Sequence, residues 1–380
     1  PLKYLVEKEM AQIIEREALR SPFYGRVDAP PDPALTPEQT EVFSELIPAL
    51  QQQTKPFLLH GVTGSGKTEV YIRLVREALK AGKGAIILVP EIVLTPQMIN
   101  WFRSRFGDTM AVLHSRLTPG ERFDEWRRIR LGRARIVIGA RSAVFAPVDN
   151  LGVIIVDEEH EQTYFSDRFP QYDAREVAVS RGKREGAVVL LASATPSIFS
   201  YAMCRRGDYT LVEMPHRVLN RPLPAVHIVD MRQELRMGNH SIFSSLLTQK
   251  LESCIASGQQ AMLFINRRGY ASSVNCRKCG ATIKCDRCDV SMTYHSVDDT
   301  LRCHYCGAER PMPRQCPACQ STYIRPMGTG TQKVEEELNK RFPGAGVIRM
   351  DVDTTASRNA HFELVDRFRA GQAKILLGTQ

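Results

Sequence analysis

The segment Phe57-Leu58-Leu59-His60-Gly61-Val62-Thr63-Gly64-Ser65-Gly66-Lys67-Thr68-Glu69-Val70-Tyr71 combines three signals in one order. An apolar run reads as a strand, Gly61 to Thr68 match G-x-x-x-x-G-K-[ST], and a helical stretch follows, which is the setting a phosphate loop requires. The residue types then fix the chemistry. Gly61, Gly64 and Gly66 let backbone N–H groups, with those of Thr63 and Ser65 among them, approach a β-phosphate, and the helix N-terminus adds partial positive charge. Lys67 is placed to reach the β and γ oxygens, the Thr68 hydroxyl to ligate Mg²⁺, and Glu69 follows in the same site. A chance glycine-rich turn would not bring both the strand and the helix with it.

Working outward, Phe57 to Leu59, Ala85 to Val89, Arg135 to Ile138, Val153 to Val156 and Val188 to Ala192 are short apolar runs separated by helix-length segments. A parallel sheet buried on both faces demands that pattern. A second α/β pattern starts near Arg217, with candidate strands Ala225 to Val229, Ala261 to Ile265, Gly346 to Met350 and Lys374 to Leu377. A cysteine-rich segment, Cys276 to Cys319, interrupts it. Residues 1–20 carry apolar positions at helical spacing, and residues 21–35 are rich in proline and read as a linker. The expected division is therefore helix 1–20, linker 21–35, lobe 36–216, and lobe 217–380 with an insertion at 276–319.

At 380 residues there is room for two or three folded units. The net charge of +9 suits a polyanionic partner without requiring one. The longest apolar runs fall far short of the ~18 to 20 residues that cross a bilayer, so no membrane span is expected. The chain opens on Pro1, without Met or a signal peptide, and reads as an internal fragment. Eight of its ten cysteines form Cys-x-x-Cys pairs in one segment, which points to bound metal inside the cell rather than to disulfides.

Val153 to Val156 run into Asp157-Glu158-Glu159-His160. A carboxylate at the end of a buried strand can hold Mg²⁺ while its neighbour orients the attacking water, so Asp157 is assigned to the metal and Glu158 to the water. Ser193-Ala194-Thr195 ends the next buried strand. Its hydroxyls either cap the turn before Pro196 or couple the acidic site to whatever moves on hydrolysis, and order along the chain favours coupling.

These segments resemble the superfamily 2 helicases, and more narrowly their replication-restart, primosomal branch, truncated at both ends. The resemblance runs from Thr36 to Gln380 and rests on GVTGSGKTEVY (Gly61 to Tyr71), LVPEIVLTPQ (Leu88 to Gln97), GARSAVFAP (Gly139 to Pro147) and DEEH (Asp157 to His160). SATPS (Ser193 to Ser197), NRRGYA (Asn266 to Ala271), the cysteine cluster and GTGTQKVEEEL (Gly328 to Leu338) complete it. It implies two RecA-like parallel-sheet lobes, the second incomplete, with ATP and Mg²⁺ between them. It implies 3′-to-5′ movement along single-stranded DNA, action on forked DNA, and assembly with single-stranded-DNA-binding protein and other primosome proteins. A monomer in the bacterial cytoplasm, associated with the nucleoid, is the form that goes with this activity. Residues before Ser21 are then the tail of a winged helix. By the same resemblance His160 connects the ATP site to DNA, and Gln39 reads adenine, although Thr36-Pro37-Glu38-Gln39 is also a capping box with Pro at the first helical position.

DNA contacts are expected from Arg141 and Ser142, from Asn266 and Arg267, and from Gly328 and Thr331. They are also expected from the aromatic stretch between DEEH and SATPS, above all Tyr164 and Phe169, where rings could stack on bases. Packing is the competing role for two or more of Tyr164, Phe165, Phe169 and Tyr172. Arg127, Arg128, Arg130, Arg133 and Arg135 read mainly as a solvated basic face. The family's arginine-finger segment does not occur, so the fragment itself is expected to hydrolyse ATP feebly.

Cys276/Cys279, Cys285/Cys288, Cys303/Cys306 and Cys316/Cys319 supply eight thiolates, enough for two tetrahedral zinc ions. Spacing alone permits sequential, crossed or nested pairing. Short connections favour nesting, with Cys285, Cys288, Cys303 and Cys306 inside Cys276, Cys279, Cys316 and Cys319, and the resemblance implies the same. An iron–sulfur cluster is the less favoured occupant. Cys204 and Cys254 are expected to be buried small residues. The sequence thus reads as an ATP-dependent DNA helicase. A double-strand DNA translocase or remodeller and a nucleotide-switched zinc interaction module are the rivals.

Overall fold

The computed structural model describes residues 4, 8, 10, 32–52, 55–91, 95–115, 117–265, 272–295, 298–327, 331–351, 354 and 360–379. Almost all of segments 1–20 and 21–35, together with Asn266, Arg267 and Gly328, lies outside them. The chain forms two compact units, Pro1–Leu223 and Pro224–Gln380.

The first unit is built on a seven-stranded sheet. Its strands are β1 (Phe57–Gly61), β2 (Gly84–Leu88), β3 (Met110–Leu113), β4 (Ile136–Gly139), β5 (Leu151–Val156), β8 (Val188–Ser193) and β9 (Thr210–Met214), in the order β3-β4-β2-β5-β8-β1-β9. Every pairing is parallel. A small hairpin, β6 (Phe165–Ser166) with β7 (Tyr172–Asp173), precedes β8 in sequence. Helix α1 (Pro37–Leu46) precedes β1, and the crossovers run through α2 (Lys67–Lys80), α3 (Pro96–Phe106), α4 (Pro119–Arg130), α5 (Ala174–Glu185) and α6 (Ile198–Arg206).

Alternate residues of each strand feed two separate cores. Leu59, Ile87 and Ile155 pack with Val70, Leu74 and Phe102 on one face, whereas Leu58, Ile86 and Ile154 pack with Ile129, Ala178 and Val144 on the other. That double coverage is why β2, β5 and β8 are buried at every position and carry no polar residue before their last turn. Each such side chain contributes roughly 1.5–3 kcal/mol when taken out of water. Strands β3 and β9, which the sequence reading did not single out, extend the sheet at its two edges.

The second unit holds a parallel sheet, β10 (Ala261–Ile265), β17 (Ile375–Thr379) and β16 (Val347–Met350), in the order β10-β17-β16. Among its helices α7 (Met231–Arg236), α8 (Ser245–Ala256), α9 (Thr331–Arg341) and α10 (Ala360–Arg369), α8 and α9 supply Leu251, Val334 and Leu338 to a core with Ile375 and Leu377. The expected strand Ala225 to Val229 does not form, and residues 221–228 are exposed and belong to no strand.

Between β10 and β16 sits an antiparallel five-stranded sheet made of β11 (Ser272–Cys276), β12 (Thr293–His295), β13 (Thr300–Arg302), β14 (Glu309–Pro311) and β15 (Ile324–Met327). Its order is β14-β13-β12-β11-β15, so the first and last strands are neighbours. The α/β architecture with a cysteine-rich insertion is the one expected. No helix among the described residues is long and apolar enough to cross a membrane.

Candidate nucleotide site and zinc centres

The phosphate loop leaves β1 at Gly61 and enters α2 at Lys67. Two left-handed glycines, Gly64 (φ 83) and Gly66 (φ 82), turn it. The other long helices of this unit begin with a Thr, Asp or Ser side chain bonded to their first turn, but α2 begins on Gly66 with no side-chain cap. Its first N–H groups are left for an anion.

The loop's carbonyls, by contrast, are all engaged from behind. Arg217 Nε donates to Thr63 O (3.0 Å), Val218 N to Gly64 O (2.9 Å) and Gln39 Nε2 to Ser65 O (2.9 Å). Lys67 is buried with Nζ 2.9 Å from Gly61 O, and the buried Ser65 hydroxyl has no protein partner. A triphosphate fits these groups, since it would complete both the hydroxyl and the uncapped N–H groups. Glu69 pairs with Arg73 (3.2 Å) within α2 instead of facing the loop freely. Gln39 is buried, and its amide is divided between the capping box of α1, where Oε1 accepts from Thr36 N (2.9 Å), and the phosphate loop. Beside it lies a cavity of about 780 Å³ lined by Thr36, Pro37, Val62 and residues 215–221, with Leu223.

Strand β8 separates β1 from β5 and aligns their ends, pairing Ser193 with His60 and Leu191 with Val156. Asp157 therefore emerges beside the phosphate loop. It is buried, accepts from the Tyr71 hydroxyl (2.8 Å) at Oδ1, and carries at its carbonyl the Tyr164 hydroxyl (2.5 Å). Burial raises the Asp157 carboxyl above its ordinary range, with the Tyr71 bond and the nearby Lys67 ammonium acting against it. The two tyrosines are themselves pushed well upward, by burial first and by the Asp157 charge next. A cation beside Asp157 would remove the cost of that buried anion. Thr68 is the second residue of α2.

Glu158 adopts φ 45, and its carboxylate lies 3.6 Å from His160 Nδ1. The same ring nitrogen is 2.7 Å from the Ser193 hydroxyl, which also accepts from Thr195 N (2.9 Å). The structure thus brings Glu158, His160 and Ser193 into one chain of contacts, while the Thr195 side chain faces solvent.

The aromatic stretch divides by burial. Phe169 is 98% exposed, whereas Tyr164 is 1% exposed and bonded to the acidic loop, so the Tyr164 ring has no free face for stacking on a base. Tyr172 packs edge-on against Phe145 at 5.0 Å. Arg141 donates to Phe165 O (2.7 Å), tying its loop to this stretch, and Ser142 is exposed. Thr331, at the start of α9, donates to Asp351 (2.5 Å).

Four turns of one design hold the cysteines. In each, a backbone N–H four residues on returns to the first cysteine's carbonyl: Gly280 to Cys276 (2.8 Å), Asp289 to Cys285 (2.9 Å), Gly307 to Cys303 (2.9 Å) and Gln320 to Cys316 (2.8 Å). All four of these residues have positive φ. The thiols gather as Cys276, Cys279, Cys316 and Cys319, and as Cys285, Cys288, Cys303 and Cys306, within 4.8 Å in each set. Sulfur–sulfur separations of 3.6–3.7 Å match the edge of about 3.8 Å that Zn–S bonds of ~2.3 Å give a tetrahedron. Burial opposes the Cys276 thiolate, but neighbouring N–H groups outweigh it and bring the thiol to about 7. For Cys303 the N–H groups of Cys306 and Tyr305 do the same, also to about 7. Outside the sets, Cys204 and Cys254 are half-buried rather than fully buried.

Comparison with known proteins matches two family descriptions, "DEAD/DEAH box helicase" over residues 36–202 and "PriA DNA helicase Cys-rich region (CRR) domain" over residues 285–311. The chain is 51% identical over 381 residues to the replication restart protein PriA of Bacillus subtilis, covering all of this chain and 47% of that one. It is 46% identical to the PriA of Synechocystis, again covering all of this chain and 46% of the relative. The chain carries a PriA-family sequence from end to end. It spans about half the length of these PriA relatives. Among solved structures, RecG bound to a three-way DNA junction is 18% identical, with a TM-score of 0.49 over 91% of this chain and 36% of that chain. The PriA cysteine-region match begins at Cys285 and takes in Cys288, Cys303 and Cys306, the inner set of thiols.

Sequence reasoning gave no role to Tyr71, Glu159 or Arg217: Tyr71 bonds Asp157, Arg217 bonds the phosphate loop and Glu159 bonds Ser197, each across a long stretch of chain. Tyr71 had a usable signal, because it lies one turn beyond Lys67 on α2 and so shares its face.

Proposed function

We propose that this chain is the nucleotide-hydrolysing and zinc-binding part of an ATP-dependent DNA helicase that restarts replication at abandoned forks. The observation that carries the proposal is the meeting of an uncapped phosphate loop with Asp157 and Glu158 at one sheet edge, in a chain of PriA-family sequence. The loop N–H groups and Lys67 bind the β and γ phosphates, and Thr68 and Asp157 are the magnesium ligands. Magnesium, when bound, neutralises charge developing on the transferred phosphoryl group. Glu158 orients the attacking water. His160 and Ser193 relay between that water and the DNA-binding side, where Arg141, Ser142, Phe169, Asn266, Arg267, Gly328 and Thr331 are assigned. Gln39 keeps its adenine assignment alongside its structural bonds. Movement runs 3′ to 5′ on single-stranded DNA, in a monomeric, cytoplasmic protein that works with single-stranded-DNA-binding protein and other primosome proteins. Two zinc ions, in sites with no open coordination position, hold the insertion together.

The test is ATP turnover by the full-length protein with and without single-stranded DNA, alongside K67A, and strand separation on a forked duplex. Stimulated turnover that K67A abolishes, with release of free strands, is the expected result. Turnover without strand release would assign a double-strand translocase instead. Partner binding that survives K67A with no turnover in the wild type would assign a nucleotide-switched scaffold.

A further inference from the structure

Glu159 is the third residue of the acidic tetrad and is 0% exposed. Its carboxylate is held by three donors. Ser197 N reaches Oε1 at 2.6 Å, Ser197 Oγ reaches Oε2 at 3.0 Å, and Ser200 Oγ reaches Oε2 at 2.8 Å. Ser197 is the N-cap of α6, so the buried charge also sits at that helix's positive end. The backbone of Glu159 is equally engaged, with N donating to Ala192 O of β8 (2.9 Å) and O accepting from Arg175 Nη1 (2.8 Å). Arg175 in turn is clamped on Asp173, the N-cap of α5 and the last residue of the β6–β7 hairpin that carries exposed Phe169.

Four elements therefore converge on this one residue: the acidic loop, β8 at Ala192, α6 and, through Arg175, the end of the aromatic hairpin. Glu158 and His160 are its immediate neighbours in the chain. We propose that Glu159 is a positioning residue for the hydrolysis assigned above: its carboxylate, by gripping Ser197 and Ser200, ties the acidic loop to α6 and so fixes where Glu158 and His160 stand, while its backbone carbonyl holds the end of the aromatic hairpin through Arg175. The inference rests on that assignment of function. A charge that is buried and fully hydrogen-bonded tolerates no loss of partners, so the grip is rigid and transmits displacement of one element to the others. Nothing in it touches the phosphate loop, so nucleotide affinity should not depend on it.

The experiment uses the full-length protein and its E159A, E159Q and S200A variants. It measures kcat and KM for ATP with and without single-stranded DNA, affinity for a non-hydrolysable ATP analogue, and the thermal midpoint. Glutamine retains an oxygen for Ser197 N, and the serine hydroxyls can turn to accept from its amide, so E159Q keeps the linkage. E159A is expected to lose about tenfold or more in DNA-stimulated kcat with analogue affinity within about twofold, and E159Q to recover most of it. S200A, with the carboxylate in place and one donor gone, should fall between E159Q and E159A and serves if E159A does not fold. Wild-type DNA-stimulated kcat in E159A or, where that variant is unfolded, in S200A overturns the inference. So does a loss that merely follows the thermal midpoint in all three variants. Absence of DNA stimulation in the wild type itself would instead overturn the functional assignment on which it stands.

Discussion

A single methyl group at Gly66 tests the architecture of the phosphate loop. A Cβ there would lie 2.3 Å from Gln39 Nε2, so G66A must expel the Gln39 amide from its seat. Two hydrogen bonds are then lost, to Ser65 O and from Thr36 N, at about 1 kcal/mol each, and the unpaired Ser65 carbonyl adds roughly 1 kcal/mol or more. The left-handed backbone of Gly66 costs a further ~1–2 kcal/mol for any residue with a Cβ. On this arithmetic Q39A costs about 2–4 kcal/mol and G66A about 3–6 kcal/mol. The double variant should cost no more than G66A alone, because the amide has already left its seat in G66A. The coupling is thus the whole of the Q39A effect. Both tryptophans, Trp101 and Trp126, belong to the first unit, so denaturant unfolding followed by tryptophan fluorescence reads that unit alone. Strictly additive losses, with the double variant falling to the sum of the singles, would show that Gln39 and Gly66 do not share one space and would refute the reasoning.

Two further outcomes are expected. Y71F removes the hydroxyl that Asp157 accepts from, a bond to a buried charge worth roughly 1.5–3 kcal/mol. It should lower both the unfolding free energy and kcat while K67A, not Y71F, abolishes nucleotide binding, as titration with a fluorescent ATP analogue would report. Zinc released by a thiol-blocking reagent and read with a chromogenic chelator should amount to two ions per chain, falling to about one in C279S or C306S. An iron absorption band in place of zinc would overturn the assignment.

Much of this was legible in the chain because the deciding features are local. Phosphate loops need glycines, a lysine and a hydroxyl at fixed spacing, and β1 and α2 flank them within a few residues. Four Cys-x-x-Cys pairs announce metal in the same way, and the turn that makes each pair also fixes a left-handed residue after it, glycine at 280 and 307 but Asp289 and Gln320 elsewhere. What stayed hidden depends on distant partners. Nothing local distinguishes Glu159 from Glu158, since Ser197 and Ser200 lie on the far side of β8 in sequence. In sequence Tyr164 is open to base stacking or to packing, and only its hydroxyl on Asp157 O and its burial decide for packing. Arg217 looks like the start of the second α/β pattern, yet it folds back on Thr63, and the division between the units falls after Leu223. Ala225 to Val229 has the composition of a strand, but no ladder partner meets it and Val226 and Ile228 are left exposed.

Strands β11 and β15, where the cysteine-bearing sheet begins and ends, run side by side in opposite directions. The insertion consequently occupies only a doorway's width in the chain that surrounds it. Such a module can lengthen, shrink or exchange its knuckles while the parallel sheet β10-β17-β16 keeps its register. Zinc held by these eight thiolates would tie the folding of this segment to metal supply.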